Sequence, residues 1–143
     1  MPLVRYRADK FHLHSGGESH FLLDCECLQY NDLRNIAKII LHKYYPKRVV
    51  SIPKGGDRLA DVLESLLRSS RPEPGSEVID VLIVDDVLTT GASMQEAWMK
   101  LAVDGIRLKD MDPPAPTIKG AVIFQRGPDM NGVFAVFKTA DWD

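Results

Sequence analysis

The chain has 143 residues, of which 45% are hydrophobic and 27% charged, and its formal net charge is −2. This composition is typical of one globular domain with its own core, and the length is too short for two. The scattered basic residues argue against a nucleic-acid partner, and no apolar run reaches the roughly 18 residues of a membrane span. Residues 1–5 lack the apolar core of a signal peptide. We expect a single cytoplasmic domain over residues 1–143, with no nucleic-acid or membrane partner.

The N-terminal segment predicts short strands. Residues 11–19 are typical of a strand interrupted by a glycine turn, and residues 21–28 of a second strand. Cys25 and Cys27 would share one face of that second strand, where two residues are too splayed for an easy disulfide. His20 is the only obvious further metal ligand nearby, so a metal site is incomplete. We expect both cysteines to be plain core or interface residues.

A helix is predicted next, capped by Asn31 or Asp32 and ending before Pro46. Residues 48–52 then form a short buried strand, which the loop 53–56 connects to a second helix. Both helices have one apolar side at helical spacing. These sides are Leu33, Ile36, Ala37, Ile40 and Tyr44 in the first, and Leu59, Val62, Leu63, Leu66 and Leu67 in the second, which Asp57 opens.

The strongest signal lies in residues 81–93. Four apolar residues, 81–84, predict a strand buried on both faces, and Asp85 and Asp86 close it. A loop of small and hydroxyl-bearing residues, 89–93, leads into a third helix, with Gly105 at its C′ position. The carboxyl end of a parallel strand is where open α/β sheets bind ligands.

Residues 89–93 and the acidic pair predict complementary chemistry. Backbone N–H groups ahead of a helix favour a phosphate, and Gly91 lets the backbone approach it closely. Ser93 and Glu96 also fit a capping box, in which Ser93 merely starts the helix. Two adjacent carboxylates are costly in apolar surroundings unless hydroxyls, N–H groups or a cation contact them. Asp85 and Asp86 therefore predict a sugar diol, Mg²⁺ or both, with a solvated turn as the alternative.

The rest of the chain predicts two final strands, 120–124 and 133–137, around a turn at 127–129. Arg126 lies between them, as a ligand contact or as a surface arginine at a strand end. Residues 112–116 are a stiff proline-rich connector. The chain contains no G-x-x-x-x-G-K-[ST] run, which excludes a P-loop ATPase.

Residues 81–93 resemble the phosphoribosyl-diphosphate (PRPP) signature of the type I phosphoribosyltransferases: an apolar strand, two acids, two residues and T-x-G-x-[ST]. The resemblance implies that Asp85 and Asp86 hold the ribose hydroxyls with Mg²⁺ and are the catalytic carboxylates. It also implies a phosphate-binding loop for the 5′-phosphate, made of Thr89, Thr90, Gly91, Ala92 and Ser93. Residues 53–56 resemble the pyrophosphate loop of the family, which implies diphosphate contacts from Lys54, Gly55 and Gly56.

Residues 11–19, taken with Asp24, resemble the F-x-L-x-S-G-x-x-S opening of orotate phosphoribosyltransferases, part of a hood over the nucleobase. By resemblance the base contacts are His14, Leu22, Leu23 and Arg126. The chain departs from the family at each of these places. His14 stands where lysine is usual, aromatic residues are usual near Leu22 and Leu23, and Gln125 replaces the aspartate before Arg126. For His12, His14 and His20 a surface or turn position is the alternative.

The resemblance implies one α/β domain, a mainly parallel sheet flanked by helices, with a hood over residues 1–30 and a core over 31–143. A further strand and a flexible basic loop, the catalytic lid of the family, are replaced by residues 69–77, in which Arg71 is the single basic residue. The implied activity is Mg²⁺-dependent transfer of phosphoribosyl from PRPP to a nucleobase, slowed by the short lid. Threonine at position 89, where purine-type relatives have an acid, favours a pyrimidine such as orotate. The alternatives are a PRPP- or nucleotide-binding module with little catalysis and a structural role. The family also implies a homodimer.

Overall fold

The computed structural model of the protein describes residues 3–12, 18–107 and 116–139. Two strands and a 3₁₀ turn precede the core, namely β1 (Val4–His12), β2 (Glu18–Leu23) and Cys25–Cys27. The core elements follow in the order α1 (Tyr30–Lys43), β3 (Tyr44–Ser51), α2 (Asp57–Leu67), β4 (Glu77–Leu88), α3 (Ala92–Arg107), β5 (Ile118–Gln125) and β6 (Val133–Lys138). No helix in these ranges is both long and apolar enough to cross a bilayer.

The central sheet has the strand order β3-β4-β5-β6, and every neighbouring pair is parallel. Helices cover both faces, because α1 and α2 pack on one face and α3 packs on the other. The strands β1 and β2 form a separate antiparallel hairpin in the segment predicted as the hood. The predicted fold, a mainly parallel sheet flanked by helices with a small N-terminal hood, is confirmed.

Strand β4 runs through the middle of the core. Its side chains alternate between the faces, as in any strand. Leu82 and Val84 pack against α1 and α2, whereas Val81 and Ile83 pack on the side of α3. The predicted strand was too short, because β4 continues to Leu88 and the two acids lie inside it.

The first helix begins earlier than predicted. Gln29, and neither Asn31 nor Asp32, is its N-cap residue. Asp32 occupies the third helical position and accepts a hydrogen bond from the Gln29 N–H over 2.9 Å. This reciprocal bonding is the capping-box arrangement with glutamine as the cap. Pro46 lies inside β3, which is at the edge of the sheet, where a missing N–H is tolerated.

The cysteines do not lie on a strand. Strand β2 ends at Leu23, and Cys25 and Cys27 fall in a single 3₁₀ turn that Asp24 caps through the Glu26 N–H. Arg58 on α2 fixes this turn by donating to three of its carbonyls, those of Cys25, Glu26 and Leu28. Neither cysteine forms a disulfide. The predicted strand over residues 21–28 is therefore wrong in its second half.

The third helix differs from its prediction at both ends. It begins at Ala92, so Ser93 lies in the first turn and does not cap it. Gly105, predicted to follow the helix, lies within it. The predicted connector at 112–116 lies outside the described residues except for Pro116.

The final two strands are parallel neighbours. Residues 126–132 therefore carry the chain back from the carboxyl end of β5 to the amino end of β6. This return passes along the face that α3 covers, since a Cβ added at Gly132 would stand 2.8 Å from the Trp98 ring. The predicted local turn at 127–129 is the first part of this crossover, and it lies beside the phosphate-binding loop.

Candidate functional site

A cleft of about 800 Å³ opens at the carboxyl ends of β3, β4 and β5. Three connections meet there: the loop after β3, the loop after β4 and the start of the crossover after β5. Its lining consists of Glu26, Ile52, Pro53, Lys54, Gly55, Asp85, Asp86, Val87, Leu88, Thr89, Thr90, Gly91, Ala92, Ser93, Met94 and Arg126. This is the edge of an α/β sheet at which ligands bind.

Both carboxylates of the acidic pair reach the cleft although they are adjacent in a strand. Asp85 Oδ1 accepts a hydrogen bond from the Asp86 N–H over 2.8 Å, and Asp86 Oδ1 accepts one from the Val87 N–H over 2.7 Å. Each carboxylate is thus folded back onto the next amide. In addition, β3 pairs with β4 only as far as Val84, so the strand edge beside the pair is left to the loop after β3.

Asp85 is the strongly perturbed member of the acidic pair. Its pKa is raised to about 8, first by burial and then by the hydrogen bond and the negative charge of Asp86. The same pair acts on Cys25, whose pKa is raised to about 12 by burial first and then by Asp86, Asp24 and Asp85. Asp85 is therefore largely protonated at neutral pH, and a cation bound beside the pair would favour its ionised form.

The pyrophosphate loop lies against this pair. A Cβ added at Gly55 would overlap the Asp86 carboxylate in its present position, so the loop backbone approaches that side chain closely. Gly56 is buried one residue further on, where a Cβ would overlap the Val84 carbonyl oxygen. Lys54 lines the cleft beside them. The loop thus brings one lysine and a closely approaching backbone to the acidic pair.

The phosphate-binding loop has the backbone that its sequence predicts. Gly91 has a positive φ of 83°, which favours glycine, and it stands immediately before α3. The Thr90 hydroxyl accepts from the Ala92 N–H over 3.3 Å, and the Gly91 carbonyl accepts from the Gln95 N–H over 2.8 Å. The loop therefore leads into the N-terminus of a sixteen-residue helix, which favours an anion.

The structure brings most of the predicted site residues together in one cleft. Gly56 is the exception in the pyrophosphate loop, because it is buried behind the cleft and supports it. Leu22 and Leu23 lie in β2, and His14 lies outside the described residues. Gln125, the residue before Arg126, is 3% exposed and bonds within its own turn.

One charged cleft residue, Glu26, was missed by the sequence analysis. Glu26 reaches the cleft because Arg58 holds the 3₁₀ turn in place from α2. The two residues are separated by 32 positions, and no periodic pattern links them. Nothing in the sequence around Glu26, which lies in the predicted strand 21–28, indicates that this side chain reaches the cleft.

A magnesium ion fits this donor set only in combination with a ligand. Within the described ranges no three His, Cys, Asp or Glu side chains are arranged to hold a metal together. Mg²⁺ is commonly held by one or two carboxylates, with substrate oxygens and waters completing its octahedron. Asp85 and Asp86, two adjacent carboxyl groups that line the cleft, suit that partial role.

The comparisons with known proteins give a fold and no family assignment by sequence. No family model and no curated protein matches the chain. The solved structures that resemble it include orotate phosphoribosyltransferases and other phosphoribosyltransferases. The orotate phosphoribosyltransferase of Aeropyrum pernix superposes with a TM-score of 0.64 at 21% identity, over 95% of this chain and 88% of that one.

Two further neighbours show the range of proteins that share this fold. The UMP synthase of Leishmania donovani has the same TM-score and identity, over 95% of this chain and 33% of that one, so this chain spans about a third of its length. The purine phosphoribosyltransferase of Pyrococcus horikoshii has a TM-score of 0.53 at 20% identity, over 78% of this chain and 85% of that one. At these identities the likeness establishes the type I phosphoribosyltransferase fold.

Proposed function

We propose that this protein is a Mg²⁺-dependent phosphoribosyltransferase that transfers phosphoribosyl from PRPP to a pyrimidine base such as orotate. One observation carries the proposal: the adjacent carboxyl groups of Asp85 and Asp86 line one cleft with a helix N-terminus suited to a phosphate and with a glycine loop that holds a lysine. PRPP has a diol between a 5′-phosphate and a diphosphate. The three parts of the cleft match the three parts of that molecule.

Each part of the cleft has one task in substrate binding. The N–H groups and hydroxyls of residues 89–93 receive the 5′-phosphate. Asp85 and Asp86 accept hydrogen bonds from the ribose hydroxyls. Lys54 and the backbone at Gly55 face the diphosphate. Asp85 and Asp86 would hold Mg²⁺, which when bound would supply positive charge that offsets the negative charge of the diphosphate.

Catalysis then consists of orientation and electrostatics. Breaking the bond between the anomeric carbon and the diphosphate oxygen leaves that electron pair on the oxygen and positive charge on the sugar ring. Asp85 and Asp86 stabilise that charge, while the phosphate-binding loop keeps the sugar in line with the incoming base nitrogen. Lys54 stabilises the negative charge on the departing group.

The choice of base rests on two residues. Threonine at position 89 has no proton to give near neutral pH, so it cannot protonate a purine ring as an acid there would. Arg126 lines the same cleft, and its guanidinium can pair with a carboxylate such as that of orotate. Gln125 is buried in its own turn, so Arg126 acts without an acidic neighbour before it.

A second function is favoured by the short connection between α2 and β4. Residues 68–76 are tied to the amino ends of the strands, away from the cleft. The Tyr45 hydroxyl donates to the Ser70 carbonyl over 2.6 Å, and the Ser76 hydroxyl to the Leu41 carbonyl over 2.8 Å. A connection held there leaves the cleft without a lid on that side. The alternative is a PRPP- or nucleotide-binding module with little catalysis.

An assay of pyrophosphate release separates the two functions. The protein is supplied with PRPP, Mg²⁺ and one base at a time: orotate, uracil, hypoxanthine or guanine. We expect pyrophosphate release that depends on orotate and is accompanied by the corresponding nucleotide. Acceptance of hypoxanthine or guanine with orotate ignored would refute the pyrimidine assignment. PRPP binding without base-dependent release would support the binding module.

A further inference from the structure

The crossover between β5 and β6 contacts the last residue of β4 once and the phosphate-binding loop that follows it twice. The Arg126 N–H donates to the Leu88 carbonyl over 2.8 Å. Gly127 approaches the next carbonyl so closely that a Cβ there would overlap the Thr89 oxygen. The Met130 sulfur lies 3.1 Å from the place that a Cβ on Gly91 would take. One side of the loop is therefore shaped by a segment more than thirty residues away in sequence.

A buried amide holds this crossover in shape. Gln125 is 3% exposed, and its Nε2 donates to the Gly127 carbonyl over 3.1 Å and to Asp129 Oδ1 over 2.7 Å. Asp129 Oδ1 also accepts from Lys138 Nζ of β6 over 2.9 Å. The Gln125 carbonyl accepts from the N–H and the hydroxyl of Thr139. Because an unbonded buried amide is costly, these bonds favour one conformation of the turn.

The contact at Gly127 controls the direction of a loop donor. The Thr89 carbonyl and the Thr90 N–H belong to one planar peptide, so one cannot rotate without the other. A side chain at position 127 would push the Thr89 oxygen away. It would thereby turn the Thr90 N–H out of its present direction.

We propose that Gln125 and Gly127 are positioning residues that set the conformation of the phosphate-binding loop. Both act through the loop backbone, Gly127 directly and Gln125 by holding Gly127. That the loop receives a phosphate rests on the function proposed above. That the crossover shapes the loop rests only on the contacts of these residues.

The test compares Gly127→Ala with Gly75→Ala. Gly75 has a φ of 97° and no atom within 4 Å of its absent Cβ, so alanine there introduces backbone strain far from the cleft. In Gly127→Ala we expect the amide NMR resonances of residues 89–93 to shift in the free protein. We also expect affinity for ribose 5-phosphate to fall roughly tenfold by calorimetry. Gly75→Ala should lower the Tm without either effect.

The outcomes separate this proposal from the proposed function. Unchanged loop resonances in folded Gly127→Ala would overturn the positioning role, as would shifted resonances with wild-type affinity for ribose 5-phosphate. If wild type does not bind ribose 5-phosphate, the proposed function fails. The loop resonances alone then decide whether the crossover shapes the loop.

A charge swap tests Gln125 by a route that does not depend on Gly127→Ala folding. Gln125→Glu removes the two donated bonds and places a carboxylate beside Asp129, which should shift the loop resonances and weaken ribose 5-phosphate binding. Adding Asp129→Asn supplies an amide that can donate to the new carboxylate, so the double variant should recover most of the affinity. If the double variant regained the wild-type Tm without regaining affinity for ribose 5-phosphate, the positioning role of Gln125 would be contradicted.

Discussion

Among single residues, Asp85 and Asp86 matter most. They are adjacent in a strand, and adjacent strand side chains are expected to point to opposite faces. Asp85 and Asp86 both line the cleft, and one oxygen of each accepts a hydrogen bond from the amide that follows it. The pKa of Asp85 is raised by its burial first and by its neighbour Asp86 second. A ligand that offsets the negative charge of the pair is favoured over one that does not.

The raised pKa of Asp85 predicts a pH dependence of stability. Its native pKa, about 8, lies above the ordinary value near 3.9. Between these values the native state binds more protons than the unfolded state, so the free energy of unfolding falls as pH rises. Asp85→Asn keeps an acceptor for the Asp86 N–H but cannot ionise. We expect it to be more stable than wild type by on the order of 1–3 kcal/mol at pH 8, discounted for partial exposure.

Urea unfolding of both proteins between pH 4 and pH 8.5 measures this difference. The two curves should converge near pH 4 and separate as pH rises. Asp61→Asn, on the exposed side of α2, is the matched control and should follow wild type throughout. A constant difference between Asp85→Asn and wild type over this range would mean that Asp85 is ionised in the native state at every pH tested.

At the scale of elements, the loop after β3 offers a paired test of what its two glycines do. In Gly55→Ala the added Cβ meets the Asp86 side chain, which can rotate away by giving up its bond to the Val87 N–H. In Gly56→Ala the Cβ meets the backbone of Val84, which cannot rotate away. We expect Gly55→Ala to weaken PRPP binding roughly tenfold or more with a loss of stability below about 1 kcal/mol.

Gly56→Ala is the counterpart variant, and its larger effect should be on the free energy of unfolding. Overpacking against the β4 backbone should lower the free energy of unfolding by roughly 1–3 kcal/mol. Calorimetry with PRPP and Mg²⁺, together with urea unfolding, measures both quantities for both variants. A larger stability loss in Gly55→Ala than in Gly56→Ala would contradict the contacts described here.

The elements show which parts of the fold a sequence can predict. The apolar run at 81–84 and the helical spacings after Pro53 and Ser93 identified the core, because burial leaves a periodic pattern. The carboxyl end of β4 was missed, since Asp85 and Asp86 are rare strand residues and only the parallel neighbour β5 keeps them in register. The Gln29 cap was also missed. Its hydrogen bond with Asp32 is local, but glutamine is not among the residues preferred at an N-cap.

The candidate site was predictable to the extent that its parts are contiguous in sequence. Residues 53–56 and 85–93 each carry a recognisable local motif, and the fold brings them to the same edge of the sheet. Contacts between distant segments left no such trace. Glu26 depends on Arg58, and the approach of Gly127 to Thr89 depends on a parallel arrangement of β5 and β6 that a short turn does not suggest.

At the scale of the whole molecule, the short connection 68–76 sets the expected rate. Two hydrogen bonds hold it at the amino ends of the strands. In each, a hydroxyl group, that of Tyr45 or of Ser76, donates to a backbone carbonyl. Without a lid from this segment, water reaches the sugar as positive charge develops on it. We expect turnover below roughly 1 s⁻¹, the low end for enzymes, and hydrolysis of PRPP alongside transfer.

Steady-state assays that record pyrophosphate and nucleotide together test this expectation. Hydrolysis appears as pyrophosphate released in excess of nucleotide formed, and heat-inactivated protein gives the background. Ordinary turnover with equal amounts of the two products would show that the cleft is closed by another part of the chain or by a partner subunit.

The binding of PRPP by the acidic pair is the claim on which the whole account depends, and calorimetric titration tests it most directly. PRPP is added to wild type and to Asp86→Asn, each with and without Mg²⁺, with Asp61→Asn as the control for loss of an exposed charge. We expect binding to wild type only with Mg²⁺, and a loss of about 1.5–3 kcal/mol in Asp86→Asn, which is roughly ten- to a hundredfold in Kd. Equal affinity of wild type and Asp86→Asn for PRPP would contradict the account.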